Sequence, residues 1–363
     1  DKDIKNIARS YLELSRIYFI GISEDWKLAI EYAKKSVKAY QQANIPEGEC
    51  NAYIIIGNTY GIRLEDYKNS QIYLNKSVNL LKKIENIDKI IQTYLNIAGL
   101  YSDYLKFDLA KKNINKAHSL NKLNKDQNYI YNKFTILHSE SMFYERMGDY
   151  ETALKMANKA LNFIEEYEHE GFHYKAHILG NTLSGAKMTM GDYDNALKDL
   201  NKVLKMKKKE MSSRNLCWTF LKIGRIYKLL GKYNESLKFI EKSNKIIKKI
   251  YVRSPLTNFH NKLTIELLKK YLGKSYNKNQ IEKDYLKIET NVENLKIANY
   301  NRVLIFEIYF NLYKLLEEKK YLEKSYQTLL KYAETIKKEF REKYFNYPFN
   351  KSIIEEYNKV FKK

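Results

Sequence analysis

Apolar positions along this chain recur three, four and seven residues apart over most of its length, which predicts amphipathic helices rather than strands. Short polar breaks separate the runs, so neighbouring helices are predicted to fold back on one another as antiparallel pairs. The breaks repeat. Gly148-Asp149-Tyr150-Glu151-Thr152-Ala153 returns as Gly191-Asp192-Tyr193-Asp194-Asn195-Ala196, and more weakly as Gly231-Lys232-Tyr233-Asn234-Glu235-Ser236. Earlier versions are Asp25-Trp26-Lys27-Leu28-Ala29, Asp66-Tyr67-Lys68-Asn69-Ser70 and Phe107-Asp108-Leu109-Ala110. The small residue closing each phrase falls at 29, 70, 110, 153, 196 and 236, at intervals of 41, 40, 43, 43 and 40 residues.

Each phrase reads as a helix stop, a tight turn and a helix start. Glycine tolerates the left-handed conformation that ends a helix, and aspartate offers an oxygen to the orphan amides of the next. The aromatic packs back into the hairpin, and Ala or Ser lets two helix backbones approach closely. Upstream, a small residue precedes a tyrosine by three positions at Ser15/Tyr18, Gly57/Tyr60, Ala98/Tyr101, Ser141/Tyr144 and Gly224/Tyr227. Downstream, Ile114 and Ala117 follow Ala110, and Ala157 and Ala160 follow Ala153, on one helix face.

On these residues the chain resembles the tetratricopeptide repeat (TPR) family, in a long-period form similar to the arrays of bacterial multidomain signalling proteins. The usual TPR period is about 34 residues, and longer helices would absorb the excess seen here. The resemblance implies an all-α, right-handed superhelical solenoid of about 7–8 antiparallel helix pairs. Residues 1–250 hold six TPR-like repeats and 251–299 a degenerate one in which Leu263, Ile265, Leu267 and Leu268 mark a helix. A final pair spans 300–340, with Tyr321-Leu322-Glu323-Lys324-Ser325 as its turn-and-start phrase, and 341–363 is a capping segment. The stretch Phe345-Asn346-Tyr347-Pro348-Phe349-Asn350 is similar to the phrase that closes TPR arrays in large bacterial sensors.

Composition narrows the class further. Only 3 prolines and 13 glycines among 363 residues are too few for an all-β chain, and 44% hydrophobic residues exclude a disordered one. The net charge of +22 admits an anionic partner, but the cations are overwhelmingly lysine rather than the better phosphate-binding arginine. Lys, Asn, Ile and Tyr are heavily used together, as an AT-rich genome also produces. Cys50 and Cys217 are far apart and form neither a disulfide framework nor a metal knuckle, which fits a reducing cytoplasm. The absence of a membrane-length apolar run agrees with that setting. The chain begins at Asp1 rather than Met, which is expected of a fragment or a processed product.

No catalytic constellation emerges. His169-Glu170-Gly171-Phe172-His173 has the HExxH spacing of zinc hydrolases, with His177 four residues on, but it falls where the repeat phasing requires a loop and carries Gly171 inside it. His118, His138 and His260 are isolated in sequence, and Leu272-Gly273-Lys274-Ser275 lacks the upstream glycine of a phosphate loop. Lys205-Met206-Lys207-Lys208-Lys209 closes a second helix, where positive charge suits the helix dipole. No enzyme activity, cofactor or metal is therefore expected.

In TPR arrays the first helix of each pair lines the concave surface that receives peptides. The phasing puts Arg16, Asn58, His138, Glu145, Arg146, Asn181, Trp218, Arg225 and Lys228 on that face as partner-binding candidates. Asparagine suits the task because its amide both donates to and accepts from an extended backbone. The expected function is a protein- or peptide-binding scaffold or sensor, part of a larger bacterial signalling protein. The alternative is a basic solenoid that binds nucleic acid or another anionic partner.

Overall fold

The computed structural model describes residues 2–20, 26–64, 66–123, 128–166, 175, 177–206, 213–249, 255–294 and 299–362. The described residues are helical with no strand, and the chain divides into two compact units, Asp1–Phe143 and Tyr144–Lys363. Unit 1 contains α1 (Lys2–Ile20), α2 (Trp26–Gln42), α3 (Pro46–Asn58), α4 (Tyr67–Lys83), α5 (Ile87–Asp103) and α6 (Phe107–Leu123). A π-helical turn, Thr59–Arg63, extends α3, and the division between the units falls within α7 (Asn128–Met147). Unit 2 continues with α8 (Tyr150–Glu166), a π segment Ile178–Leu183 leading into α9 (Ser184–Met190), and α10 (Tyr193–Lys205). It goes on through α11 (Ser213–Leu229), α12 (Tyr233–Lys249), α13 (Pro255–Tyr271) and α14 (Lys278–Asn294). The last four are α15 (Asn299–Leu316), α16 (Lys319–Thr335), α17 (Lys338–Asn346) and α18 (Pro348–Phe361).

Helix length explains the period. α4, α5, α6, α8, α11 and α12 are each 17 residues long, and two such helices with their turns fill the 40 to 43 residues of one repeat. The small residues mark where the two helices of a pair come closest. Ala29, Ser70, Ala110, Ala153, Ala196, Ser236 and Ser325 are all fully buried. Where serine replaces alanine, its hydroxyl bonds the backbone of the other helix. Ser70 Oγ donates to Gly57 O at 2.7 Å, Ser236 Oγ to Gly224 O at 2.7 Å and Ser325 Oγ to Phe306 O at 2.8 Å. A methyl group on Gly57 or Gly224 would run into Leu74 or Ile240 at 2.7 or 2.6 Å, so these helices touch backbone to side chain. Cys50 and Cys217 are small, buried residues of the same kind, and burial pushes the Cys50 thiol up to about 11, far from reactivity.

The turns follow the expected chemistry with two differences. Gly148, Gly191 and Gly231 have φ of 88°, 87° and 71°, and Asp66 and Asp149 accept hydrogen bonds from the amides of Asn69 and Thr152 at 3.0 Å. Asp192 instead accepts from the side chain of Asn195 and caps no amide. In the pair formed by α15 and α16 the turn lies at Glu317 and Glu318, and Tyr321–Ser325 is already helix. Tyr321 and Leu322 are pulled into the core there, so the apolar pattern begins inside the helix rather than at its start.

A lysine stands six residues after every closing small residue: Lys35, Lys76, Lys116, Lys159, Lys202, Lys242 and Lys331. Four of them rest over aromatic rings, Lys35 over Tyr32 at 5.2 Å, Lys76 over Tyr73 at 5.0 Å, Lys116 over Tyr94 at 5.1 Å and Lys242 over Phe239 at 5.1 Å. Tyr18 and Tyr60 stack on Tyr32 and Tyr73, and Tyr227 on Phe239, so Lys35, Lys76 and Lys242 each cap an aromatic sandwich between helices. Part of the lysine excess is thus a packing feature.

Unit 2 closes back on its own beginning. Pro348 starts α18 and forces the extended backbone at Tyr347 that ends α17, while Asn350 Nδ2 donates to Tyr344 O at 2.8 Å. Phe349 then stacks on Phe306. Tyr347 meets Tyr150 edge to face at 5.4 Å, Lys343 pairs with Glu151 at 2.6 Å, and Lys337 N donates to Met147 O. Tyr150 and Ala186 share one apolar cluster with Phe306, Leu329, Ile336, Tyr344 and Ile353.

Two substitutions test these devices. A methyl group at Gly191 would meet Pro348 at 2.6 Å, whereas Gly231 has open space around it. Gly231→Ala should cost ~1 kcal/mol from backbone strain alone, and Gly191→Ala a further ~1–3 kcal/mol from overpacking, compared in urea unfolding. Leu105, exposed and held at φ 59°, occupies the position that glycine takes in other repeats. Leu105→Gly should stabilise unit 1 by ~0.5–1 kcal/mol in the same measurement.

Candidate functional site

The first helices of unit 2 bring polar side chains together where apolar packing would cost less. At the last turn of α7 stands Glu145, and in the π segment before α9 stands Asn181. From α11 come Lys222, Arg225 and Lys228, from α13 His260, and from α15 Glu307 and Asn311. Arg225 forms an ion pair with Glu307, although these residues lie on helices two pairs apart in the chain. Lys228 Nζ lies 3.2 Å from Glu307 Oε1 and donates to Asn311 Oδ1 at 3.1 Å. His260 Nε2 is 3.6 Å from the same carboxylate and 3.4 Å from Asn311 Nδ2.

The charge state of this set follows from burial and pairing. Burial opposes ionisation of Glu307, yet Arg225, Lys228 and His260 around it hold its carboxyl well below the usual range. Lys228 and His260 are pulled down by burial, against the pull of Glu307. Lys222 reaches the π segment, donating to Gly180 O at 2.8 Å, Asn181 O at 3.0 Å and Asn181 Oδ1 at 3.3 Å. Burial lowers its ammonium to about 7; Glu145 opposes the shift and Arg225 adds to it. Burial raises the Glu145 carboxyl, with Lys222 and Arg146 opposing. The π segment thus supplies the acceptors of Lys222, the Gly180 carbonyl being buried and shared with Ser184 Oγ.

Of the nine sequence candidates, Glu145, Asn181, Arg225 and Lys228 join this set. Arg146 sits beside Glu145 and is half-buried. Trp218 packs against the cluster of Leu221, Leu237, Ile240 and Leu268. The others belong to unit 1. Arg16 is exposed and pairs with Glu13 at 2.6 Å, and Asn58 is half-buried at the junction of α3 with its π turn. His138 stacks on Phe134 with centroids 6.1 Å apart.

Lys222, His260, Glu307 and Asn311 were not among the candidates. A signal for Glu307 was present, since one carboxylate in Ile305-Phe306-Glu307-Ile308-Tyr309-Phe310 cannot be buried without a cation. His118 and His260, isolated in sequence, both lie beside carboxylates. In unit 1, His118 Nε2 and Lys111 Nζ approach Glu140 at 3.2 and 2.8 Å; burial raises its carboxyl, and these partners more than reverse that, to about 2.

The HExxH stretch at 169–173 and Lys207–Lys209 lie outside the described residues. His177 is half-buried, its imidazole lowered by burial and then by Lys222. Among the described residues no group of three or more His, Cys, Asp or Glu side chains could hold a metal, and no helix is long and apolar enough to cross a membrane.

Paired helices with small-residue contacts, and a polar row on their first helices, define a helical-repeat protein. Three segments match a known repeat: the family profile described as "Tetratricopeptide repeat" covers residues 51–80, 181–210 and 219–249. No curated protein matches the chain by sequence. Among solved structures, aspartyl phosphate phosphatase F from Bacillus subtilis aligns over 84% of this chain and 75% of its own, at 15% identity and a TM-score of 0.59. The Rap conjugation gene regulator of plasmid pLS20, in complex with the Phr* peptide, aligns over 91% and 95%, at 13% identity and a TM-score of 0.58. NprR in complex with its cognate peptide NprX aligns over 88% and 85%, at 20% identity and a TM-score of 0.50. At such identities the likeness is one of fold.

Glu307→Gln would leave two buried cations without their carboxylate. It should lower the unfolding free energy by ~3–5 kcal/mol in urea at pH 7. Because the folded carboxyl titrates below its ordinary 4.5, its contribution is present above that pH and lost as pH falls; the variant should show a shallower acid slope.

Proposed function

We propose that the chain is a non-catalytic peptide-binding TPR module, the sensor or scaffold portion of a bacterial signalling protein. The ligand is an extended segment that lies along the first helices of unit 2 and contacts Glu145, Asn181, Arg225 and Lys228. One observation carries this reading: successive first helices, from α7 to α15, direct charged and amide side chains into one set. Burying such groups costs stability unless something is gained, and fold stability alone would favour apolar residues. The folds that resemble this one include proteins whose structures hold peptides, which supports the same reading. Candidates Arg146 and Trp218, also of unit 2, would extend this contact surface if the segment is longer, and Arg16, Asn58 and His138 are proposed as partner contacts of unit 1 by itself.

Asn181 is assigned to the ligand's backbone, because its side-chain amide can both donate and accept. Arg225 is assigned to a ligand acceptor that competes with Glu307. The test is capture from a pooled peptide library, followed by titration of each captured peptide against the intact chain. An Asn181→Ala, Arg225→Lys double variant that remains folded by circular dichroism should bind at least ~10-fold more weakly, the loss expected when charge-assisted contacts are broken. Equal affinity for the variant would remove these residues from the site.

A further inference from the structure

Two stripes run along α1, and only one of them is covered. Ala8 and Leu12 are buried with Ile30, Ala33 and Val37 of α2, and Ser36 Oγ donates to Ala8 O at 2.9 Å. Asp3, Ile7, Ser10, Leu14 and Ile17 follow at spacings of four, three, four and three, a second stripe on another side of the helix. All five are exposed, and Ile7, Leu14 and Ile17 keep 49%, 37% and 62% of their surface. A helix side left to water is ordinarily polar, so aliphatic residues aligned on one mark a contact surface.

The other repeats of unit 1 show what such a stripe receives. Counted from the small residues Ser15, Gly57, Ala98 and Ser141, the place of Leu14 is taken by Ile56, Ile97 and Glu140. That of Ile17 is taken by Thr59, Leu100 and Phe143, and none of these six is more than 7% exposed. The second helix of the pair before contributes the cover. Ala52 and Ile56 of α3 share one cluster with Val37 and Tyr40 of α2. Gln71 of α4 donates to Tyr101 of α5, and Lys111 and His118 of α6 reach Glu140 of α7. Each covering helix matches the side it covers, aliphatic on Ile56 and cationic on Glu140. The stripe of α1 continues this interface between successive pairs, and among the described residues no helix packs along it.

We infer that this stripe docks an amphipathic helix of a partner protein, aliphatic along one face and carrying a basic residue near its C-terminal end. Direction follows from α2 and α3. A methyl group at Gly48, near the start of α3, would strike Tyr40, near the end of α2, so the covering helix brings its last turns to the start of the stripe. On α1 that start is Asp3, whose carboxylate takes the basic residue. The same residue disfavours a second copy of this chain as the occupant. Two stripes laid antiparallel about a two-fold would set Ile7 on Leu14 but Asp3 on Ile17, covering a carboxylate without a cation. The docked helix uses none of the residues assigned to the extended ligand of unit 2.

The full chain is titrated with three labelled, side-chain-bridged helical peptides of 17 residues, the length of α2, and fluorescence anisotropy is read. The first carries Leu and Ile at three- and four-residue spacing with Lys in its last turn. The second has Glu in place of that Lys, and the third is a scramble of the first. The first should bind at least ~10-fold more tightly than the scramble, the gain expected from covering two aliphatic side chains. It should bind ~2–5-fold more tightly than the Glu probe, and Asp3→Lys should reverse that order. Leu14→Ser with Ile17→Asp, at exposed positions that leave the circular dichroism unchanged, should bring the first probe down to the scramble. Arg225→Lys, on unit 2, should leave its affinity unaltered. Equal binding of the first probe and the scramble would overturn the inference, as would binding that survives Leu14→Ser with Ile17→Asp or is lost in Arg225→Lys. So would sedimentation of the chain alone as a dimer that the Leu14/Ile17 double variant dissociates, since a second copy would then be the occupant. Equal affinity for the Lys and Glu probes would overturn the part given to Asp3.

Discussion

Two α-helices can lie close along their length only where the residues between them are small, and the rest of this fold is arranged around that contact. Ala29, Ser70, Ala110, Ala153, Ala196, Ser236 and Ser325 provide it in seven of the pairs, with no exposure to solvent. Closeness at these points sets the distance at which the larger side chains above and below interlock, including the aromatic sandwiches built on Tyr32, Tyr73 and Phe239. It also sets where polar groups can be satisfied. A serine at the contact must find an acceptor within the hairpin, and the facing carbonyl is within reach.

The inner face of unit 2 obeys a different rule. Its polar residues are held by one another across helices that are distant in sequence, with Glu307 as the shared acceptor for Arg225 and Lys228. Such a set stabilises the fold less than apolar packing would, and it is sensitive to the loss of any member. Closure of the unit adds to this. The hairpin of α17 and α18 seats Pro348 against Gly191 and Tyr347 against Tyr150, so the end of the unit is packed on its own start. Gly191 therefore serves a turn and a docking contact at once, which Gly231 does not.

Charge is the property that sequence and structure weigh differently. The +22 balance suggests a polyanion when read as a total. Residue by residue, Lys35, Lys76, Lys116 and Lys242 cover aromatic rings at a repeated position, and Lys270 donates to the carbonyls of Lys314 and Leu315 at the end of α15. These cations are part of how the helices pack and terminate.

Helix pairs, their period and most turns were legible in the sequence because they depend on residues close together in the chain. A left-handed turn needs glycine at 148, 191 and 231, and a helix face repeats every three or four residues wherever the helix ends up. Non-glycine turns such as Leu105 carry no such mark, and the turn at Glu317 was misplaced because the apolar pattern starts after it. Four of the nine candidates named from the phasing of first helices, Glu145, Asn181, Arg225 and Lys228, stand together in the polar set of unit 2. Their partners Glu307, Asn311 and His260 were not named, since an ion pair between residues 82 apart leaves no periodic trace. Local backbone chemistry was written in the sequence; which buried charges neutralise each other, and which are left over, was decided by the packing of helices that the chain brings together only when folded.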